Sequence, residues 1–263
     1  MIWQITLILS LIQGITEFIP VSSSGHLVLL PYFLDTPYQG RAFDVYIHLG
    51  SLLAVLIYLR TEIILMVKDL LSTKRAISPG YLAIKNIFIA TIPVVSFGVI
   101  IVFLDLEFSD YIETVGWMTL LFGVLLGLSD KIKVRKDLLN NSKDILIIGL
   151  FQSLALIPGV SRSGIVITLG RFLGYNRIQA SKFSLLLSIP VIFAAAVLKT
   201  GKIILENGTL FRSDFILGFV LSFVFSYLTI KVFMKYIEKA SLRVFVVYRI
   251  LLGVLILSFI YSN

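Results

Sequence analysis

The sequence predicts an all-α polytopic membrane protein. Apolar residues arrive in six uninterrupted runs, each approaching the roughly 20 residues that cross a bilayer. Only 14% of the residues are charged, against roughly 25% in soluble domains. Two polar segments containing Ser and Gly, Gln13–His26 and Gln152–Thr168, interrupt otherwise apolar sequence. With a mean hydropathy of +0.98, lipid is the expected solvent.

The stretch 1–34 is too broken to be one plain helix. Ile2 to Ile12 is apolar, Gln13-Gly14-Ile15-Thr16-Glu17-Phe18-Ile19-Pro20-Val21-Ser22-Ser23-Ser24-Gly25-His26 follows, and apolar Leu27 to Leu30 resumes. Proline removes a backbone donor and disfavours a helical residue before it. Gly25 and the serines suit a turn, with Ser24 a candidate cap for a following half-helix. No basic region or small-residue cleavage signature marks the N-terminus, so it is not read as a cleaved signal peptide. Three spans follow, near 43–60, 82–104 and 114–129. The stretch 145–174 repeats the broken plan: apolar Ile145–Leu150, then Gln152, then Pro158-Gly159-Val160-Ser161-Arg162-Ser163-Gly164, then apolar Ile165–Leu169. Three more spans follow, near 183–200, 214–234 and 244–261.

The two broken segments match at an offset of 139 residues: Gln13 on Gln152, Val21 on Val160, Ser22 on Ser161, Ser24 on Ser163 and Gly25 on Gly164. Each is followed by an odd number of spans, so the second copy enters from the opposite face. The expectation is a single integral membrane domain, 1–263, built as an inverted-topology repeat. Repeat 1 is about 1–130 and repeat 2 about 144–263, each a re-entrant helical hairpin plus three transmembrane helices. Non-helical backbone at that depth must be covered by protein or water, so the tips are expected to line a polar cavity.

Loop charge sets the orientation. The loops 61–81, 130–144, 171–182 and 235–243 hold fourteen Lys and Arg, whereas the opposite side holds four, Arg41, Lys199, Lys202 and Arg212. The positive-inside rule makes the first set cytoplasmic and puts both termini outside. The same rule accounts for the net charge of +8 without nucleic acid as a partner.

The chain has no cysteine, which excludes disulfides, thiolate metal sites and cysteine nucleophiles. Ionisable groups inside a membrane are costly and mark function. Glu17, His26 and Arg162 are three such groups, all within the duplicated segments. Arg162 offers a planar fork suited to phosphate oxygens. Turn amides and half-helix N-termini add partial positive charge. Ser22, Ser23, Ser161 and Ser163 add hydroxyls. Glu17 and His26 supply proton transfer, or Glu17 supplies an oxygen to a hard divalent cation. A serine beside a base is a candidate nucleophile. The chemistry points to a membrane-embedded phosphoester or diphosphate site. His48, within the first full span, either faces the cavity or bonds to a neighbouring helix, the latter slightly favoured. Asp44 and Arg249, at span edges, are open to the same two placements, and Tyr248, Arg249 and the many phenylalanines are candidates to shape a lipid groove.

At these residues the chain resembles the undecaprenyl-diphosphate phosphatase family, also called bacitracin-resistance proteins. The likeness rests on the Gln13–His26 and Pro158–Gly164 motifs. Phe43-Asp44, His48-Leu49-Gly50, Thr91-Ile92-Pro93, Phe183-Ser184-Leu185-Leu186 with Pro190, and Tyr248-Arg249 support it. It implies removal of the terminal phosphate from undecaprenyl diphosphate, which recycles the carrier lipid for cell-wall synthesis and gives bacitracin resistance. It implies an inner (plasma) membrane location, a site open to the outer face and a divalent cation, Mg2+ or Ca2+. A homodimer is an expectation carried by the resemblance alone. The family's first motif carries two acids four residues apart; the second matches Glu17, and Gln13 stands at the first. The family's serine, histidine and arginine match Ser23, His26 and Arg162. Its threonine two places after the second-motif glycine is Val166 here, with Thr168 nearby.

The expected catalytic residues are therefore Glu17, Ser23, His26 and Arg162. Phosphate binding falls to Ser22, Ser24, Gly25, Ser161, Arg162, Ser163 and Gly164, and metal binding to Glu17 and Gln13. Ser24-Gly25-His26 also looks like an element of type-2 phosphatidate phosphatases, but the second histidine they need is Thr168 here. A lipid-phosphate or anion transporter using the same inverted-repeat site is the alternative.

Overall fold

In the computed structural model, residues 2–34, 38–72, 78–104, 112–135 and 141–262 are described. They form helices α1 (Ile2–Thr16), α2 (Ser23–Leu34), α3 (Arg41–Tyr58), α4 (Arg60–Leu71), α5 (Pro79–Phe103) and α6 (Ile112–Asp130). Helices α7 (Ser142–Gln152), α8 (Arg162–Phe172), α9 (Arg177–Leu205), α10 (Ser213–Ile237) and α11 (Arg243–Ser262) complete the fold. A 3-10 turn, Ser153–Leu156, follows α7. No strand occurs among the described residues. Six helices, α3, α5, α6, α9, α10 and α11, are long and apolar enough to cross a membrane, and they coincide with the six expected spans.

Two pairings carry the bundle, α3 running parallel to α10 and α6 antiparallel to α11, with α9 packed on α3. The short helix α1 lies on α10, and α7 lies on α5. Small residues permit these approaches, as expected where lipid supplies no hydrophobic drive between helices. A Cβ on Gly14 would come within 2.5 Å of Phe225, one on Gly149 within 2.6 Å of the Ala90 backbone, and one on Gly50 within 2.2 Å of the Phe219 carbonyl. Buried hydroxyls add a ladder between α3 and α10. Ser222 donates to the Ile47 carbonyl at 2.6 Å, Ser226 donates to Ser51 at 2.9 Å, and Ser51 and Ser222 share a 2.9 Å bond.

The helix ends sort as the loop charges require. At one end Asp130 accepts two bonds from Arg177, at 2.6 and 3.1 Å, and one from the Leu242 amide at 3.1 Å. Arg171 donates there to the carbonyls of Tyr175, Asp130 and Ile132. Lys182 reaches Glu62 at 2.7 Å. These contacts gather the start of α4, the end of α6, the start of α9 and the turn before α11 at one end of the bundle. Nearby, the Tyr175 hydroxyl donates to Asp144 at 2.6 Å; burial and that carboxylate push the phenol up, so it stays protonated. At the other end Arg41 on α3 pairs with Glu206 just past α9.

One expectation needs correction. The sequence predicts a loop at 61–81, but α4 occupies its first part. No α4 residue is buried, and Leu71 is 81% exposed. Its charges at Glu62, Lys68 and Asp69 are those of a helix lying outside the bundle core.

Candidate active site

The two polar segments are helical hairpins with buried tips. In the first, α1 ends at Thr16, the chain turns through Glu17–Ser22, and α2 begins at Ser23. Phe18 and Val21 are almost fully buried, as is Val160 in the second tip. The tips are made alike. Ser22 has φ 76° and Ser161 has φ 73°, in the left-handed region that non-glycine residues rarely enter. Each serine caps the helix after it. The Ser22 hydroxyl accepts from the Gly25 amide at 3.3 Å, and the Ser161 hydroxyl accepts from the Gly164 amide at 3.1 Å. Each also shares a hydroxyl bond two residues on, Ser22 with Ser24 at 3.3 Å and Ser161 with Ser163 at 3.2 Å. The cap of α2 is thus Ser22 rather than Ser24. Capping uses the Gly25 and Gly164 amides, leaving those of Ser23, Ser24, Arg162 and Ser163 as first-turn donors without intrahelical acceptors. Left-handed non-glycine residues concentrate at functional sites, where surrounding structure holds the strain.

The tips are joined to each other. Ser163 donates to the Ile19 carbonyl at 2.8 Å. Arg249 of α11, fully buried, donates to Pro20 of the first tip at 3.3 Å and to Gly159 and Val160 of the second at 2.8 and 3.1 Å. It also donates to the Met118 and Thr119 carbonyls of α6. No carboxylate pairs with it among the described residues. Five carbonyl dipoles offset its charge instead. Sequence alone leaves Arg249 open between a cavity contact, a helix contact and a lipid groove, because backbone carbonyls leave no signature in side-chain pattern.

Glu17 is the centre of the constellation. Its Oε1 accepts from Arg162 at 2.8 Å. Its Oε2 accepts from the Ser23 hydroxyl at 2.7 Å and from the Gln13 amide nitrogen at 3.0 Å. Arg162 also donates to the Ser184 carbonyl of α9 at 3.0 Å and lies over the Phe18 ring. His48 Nε2 stands 3.8 Å from Glu17 Oε2. Glu17, Ser23, Ser24, Ser161, Arg162 and His48 share the wall of a cavity of about 160 Å³. Its wall continues along Asp44 and Val45 on α3 and Ile192, Ala195, Ala196 and Lys199 on α9. The cavity therefore runs from Glu17 and Arg162 toward the Arg41–Glu206 end, away from Asp130 and Arg177.

Of the residues expected from sequence, Glu17, Ser23, Ser24, Ser161 and Arg162 meet at this cavity. Ser22, Gly25, Ser163 and Gly164 build the tips beneath it. His26 lies elsewhere. Its Nδ1 is 2.7 Å from the Ser22 carbonyl and its Nε2 is 2.5 Å from the Tyr248 hydroxyl, with the two rings stacked. A carbonyl only accepts, so in the neutral ring Nδ1 carries the proton and Nε2 accepts from Tyr248. Gln13 turns its NH2 group, not its oxygen, to Glu17. Its repeat counterpart Gln152 bonds the Ala90 carbonyl at 3.2 Å and links α7 to α5. His48 corrects the sequence reading. It bonds the Asp44 carbonyl of its own helix and faces the cavity, a placement set by the rotation of α3 against the first tip.

The arrangement offers a cation, a hydroxyl held by a carboxylate, and two helix N-termini in one recess. Comparison with known proteins agrees with that chemistry. The family described as bacitracin resistance protein BacA matches residues 6–255. An undecaprenyl-diphosphatase of Elusimicrobium minutum is 44% identical over 257 residues, 95% of each chain. Its namesake in Alcanivorax borkumensis is 44% identical over 266 residues, covering 97% of this chain and 98% of the relative. That of Pelagibacter ubique is 41% identical over 262 residues, 97% of each.

Proposed function

Because the chain belongs to the bacitracin resistance protein BacA family, we propose that the Glu17 cavity is the catalytic centre of a membrane-embedded undecaprenyl-diphosphate phosphatase. The enzyme hydrolyses undecaprenyl diphosphate to undecaprenyl phosphate and inorganic phosphate. The observation that carries the site is the 2.7 Å bond from Ser23 to a Glu17 carboxylate that is itself paired with Arg162.

In this reading Arg162 and the first-turn amides of α2 and α8 bind the terminal phosphate, with Ser22, Ser24, Gly25, Ser161, Ser163 and Gly164 shaping the recess. Phosphate competes with Glu17 for the Arg162 guanidinium, which frees Glu17 to accept the Ser23 proton. The Ser23 oxygen then bonds to the terminal phosphorus, and the bond to the bridging oxygen breaks, releasing undecaprenyl phosphate. Water afterwards cleaves the phosphoserine. The rival route uses Glu17 to activate water directly. Positioning and electrostatics supply most of the rate in phosphoryl transfer. His26 was the second candidate base; its bonds to Ser22 and Tyr248 favour a part in holding α2 against α11.

A divalent cation, Mg2+ or Ca2+, fits the donor set in one manner. Mg2+ is held in many phosphate sites by one or two carboxylates plus substrate oxygens. Glu17 supplies that carboxylate, whereas Gln13 offers Glu17 a nitrogen. When bound, the cation would neutralise charge on the diphosphate.

The inverted-topology repeat, with re-entrant hairpins, is supported by the matched Ser22 and Ser161 geometry and by the exchanged packing of α1 on α10 and α7 on α5. An opening toward the outer face is supported by the cavity running away from the basic end of the bundle. Termini outside the cytoplasm predict silence from a C-terminal reporter that is active only in the cytoplasm; a strong signal reverses the orientation. Cross-linking in native membranes tests the expected homodimer.

The deciding experiment is phosphate release from undecaprenyl diphosphate by purified protein in detergent, with and without chelator. Detergent abolishes any transport, so release separates hydrolysis from the transporter alternative. Absence of release sinks the proposal.

A further inference from the structure

We propose that His48 is a nitrogen ligand to the divalent cation at Glu17, in the place that Gln13 leaves open. The inference rests on the phosphatase reading above and extends it to a residue that neither motif contains.

The tautomer is the first argument. His48 Nδ1 lies 2.7 Å from the Asp44 carbonyl, which only accepts. The proton of the neutral ring therefore sits on Nδ1, and the Nε2 lone pair points into the cavity. A ring N–H donated to a backbone carbonyl is the outer-shell arrangement found behind most metal-bound histidines.

The second argument is the gap. Nε2 and Glu17 Oε2 are 3.8 Å apart, too far for a hydrogen bond. A cation seated between the imidazole nitrogen and the carboxylate oxygen would be drawn by both lone pairs. Bonds of roughly 2.0 to 2.2 Å from one cation to imidazole nitrogen and carboxylate oxygen span such a gap with little movement.

The third argument is Gln13. It presents its NH2 group to Glu17 Oε2, and its own oxygen is buried without a partner. In the arrangement seen, it does not supply a second ligand. His48, on the facing helix α3, does. A nitrogen in the ligand set favours Mn2+ and later transition metals over Ca2+, which prefers oxygen. Among the described residues no third His, Asp or Glu joins the pair, so substrate oxygens and water complete the coordination.

The test is Mn2+ binding to the purified full-length protein in detergent, read by EPR. Wild type should bind Mn2+ and show imidazole-nitrogen coupling in pulsed EPR. Protein labelled with 15N-histidine should change that coupling pattern, a readout that needs no variant. His48→Gln should lose the coupling and weaken Mn2+ by about tenfold or more, while His26→Gln keeps both. Wild type that binds no Mn2+, or binds it without nitrogen coupling, overturns the proposal, as does coupling that survives in His48→Gln. Phosphate release measured on the same preparation stands apart: release without nitrogen coupling removes the His48 assignment and leaves the phosphatase reading intact.

Discussion

Glu17 and Arg162, 145 residues apart in sequence, close a 2.8 Å ion pair between the tips of two hairpins. Both side chains are largely buried, at 7% and 12% exposure. Removing one partner of such a pair leaves an uncompensated charge at a cost of about 3–5 kcal/mol. Glu17→Gln and Arg162→Gln should each unfold at lower temperature and lose phosphate release. The double variant Glu17→Gln/Arg162→Gln, with no charge left over, should recover much of the stability and none of the activity. A double variant no more stable than the singles argues against direct coupling of the two charges.

Ser23 gives the next prediction. As nucleophile its loss removes the covalent route, and Ser23→Ala should fall by about 10²-fold or more in kcat, the scale of a lost proton-transfer partner. If water is the nucleophile, Ser23 only orients Glu17, and the loss stays small. Rapid quenching with labelled substrate should trap phosphate on Ser23 in wild type. Full turnover with no trapped phosphoserine, together with an active Ser23→Ala, selects water.

The spans were legible because lipid imposes a coarse rule: long apolar runs with basic residues at alternate ends. The two interruptions were legible because Pro20 and Pro158 each break an apolar run just ahead of a Ser-x-Ser-Gly cap, at Ser22–Gly25 and Ser161–Gly164. Other features depend on relations that sequence does not encode. His48 faces the cavity through the rotation of α3 against Glu17, and a change of one helical step would put it where Ile47 or Leu49 packs. Arg249 binds only carbonyls, which every residue has. Helix α4 has enough charge to read as a loop, yet its backbone needs no buried face to be helical. The left-handed serines were missed because Ser in a polar run reads as a cap or turn, and the sign of φ is set by the closure of the tip.

His26 and Tyr248 provide a test of assignment. If His26 serves only to bind α2 to α11 through the Tyr248 hydroxyl, then His26→Gln and Tyr248→Phe should have similar, modest effects on kcat. A large loss in His26→Gln with a near-normal Tyr248→Phe returns His26 to the chemistry. Steady-state kinetics on both variants, with thermal unfolding alongside, distinguishes these outcomes.

The left-handed serines predict an unusual order of substitutions. Ser→Ala at an N-cap costs about 0.5–2 kcal/mol, whereas Gly costs only a few tenths. At φ 73° an alanine also keeps the strain of an L-residue in the left-handed region, and glycine relieves it. Ser161→Gly should therefore be as stable as wild type or more so, and Ser161→Ala less stable by about 1–2 kcal/mol. Thermal melts in one detergent suffice; alanine matching glycine at this position rules out the strain argument.

Arg249 is where the two tips depend on one side chain. It donates to Pro20 on one side and to Gly159 and Val160 on the other, carbonyls that lie two or three residues ahead of Ser22 and Arg162. Lysine keeps the charge but cannot present a planar fork to both tips. Arg249→Lys should therefore retain the fold at low temperature, yet lose register between Ser23 and Arg162 and drop about tenfold or more in kcat/KM. Arg249→Met removes the buried charge as well as the bonds. It should be no less stable than Arg249→Lys, because the apolar side chain leaves no cation to satisfy. If Arg249→Lys shows wild-type kinetics, the tips are aligned by other contacts, of which the Ser163 bond to Ile19 is the first to test.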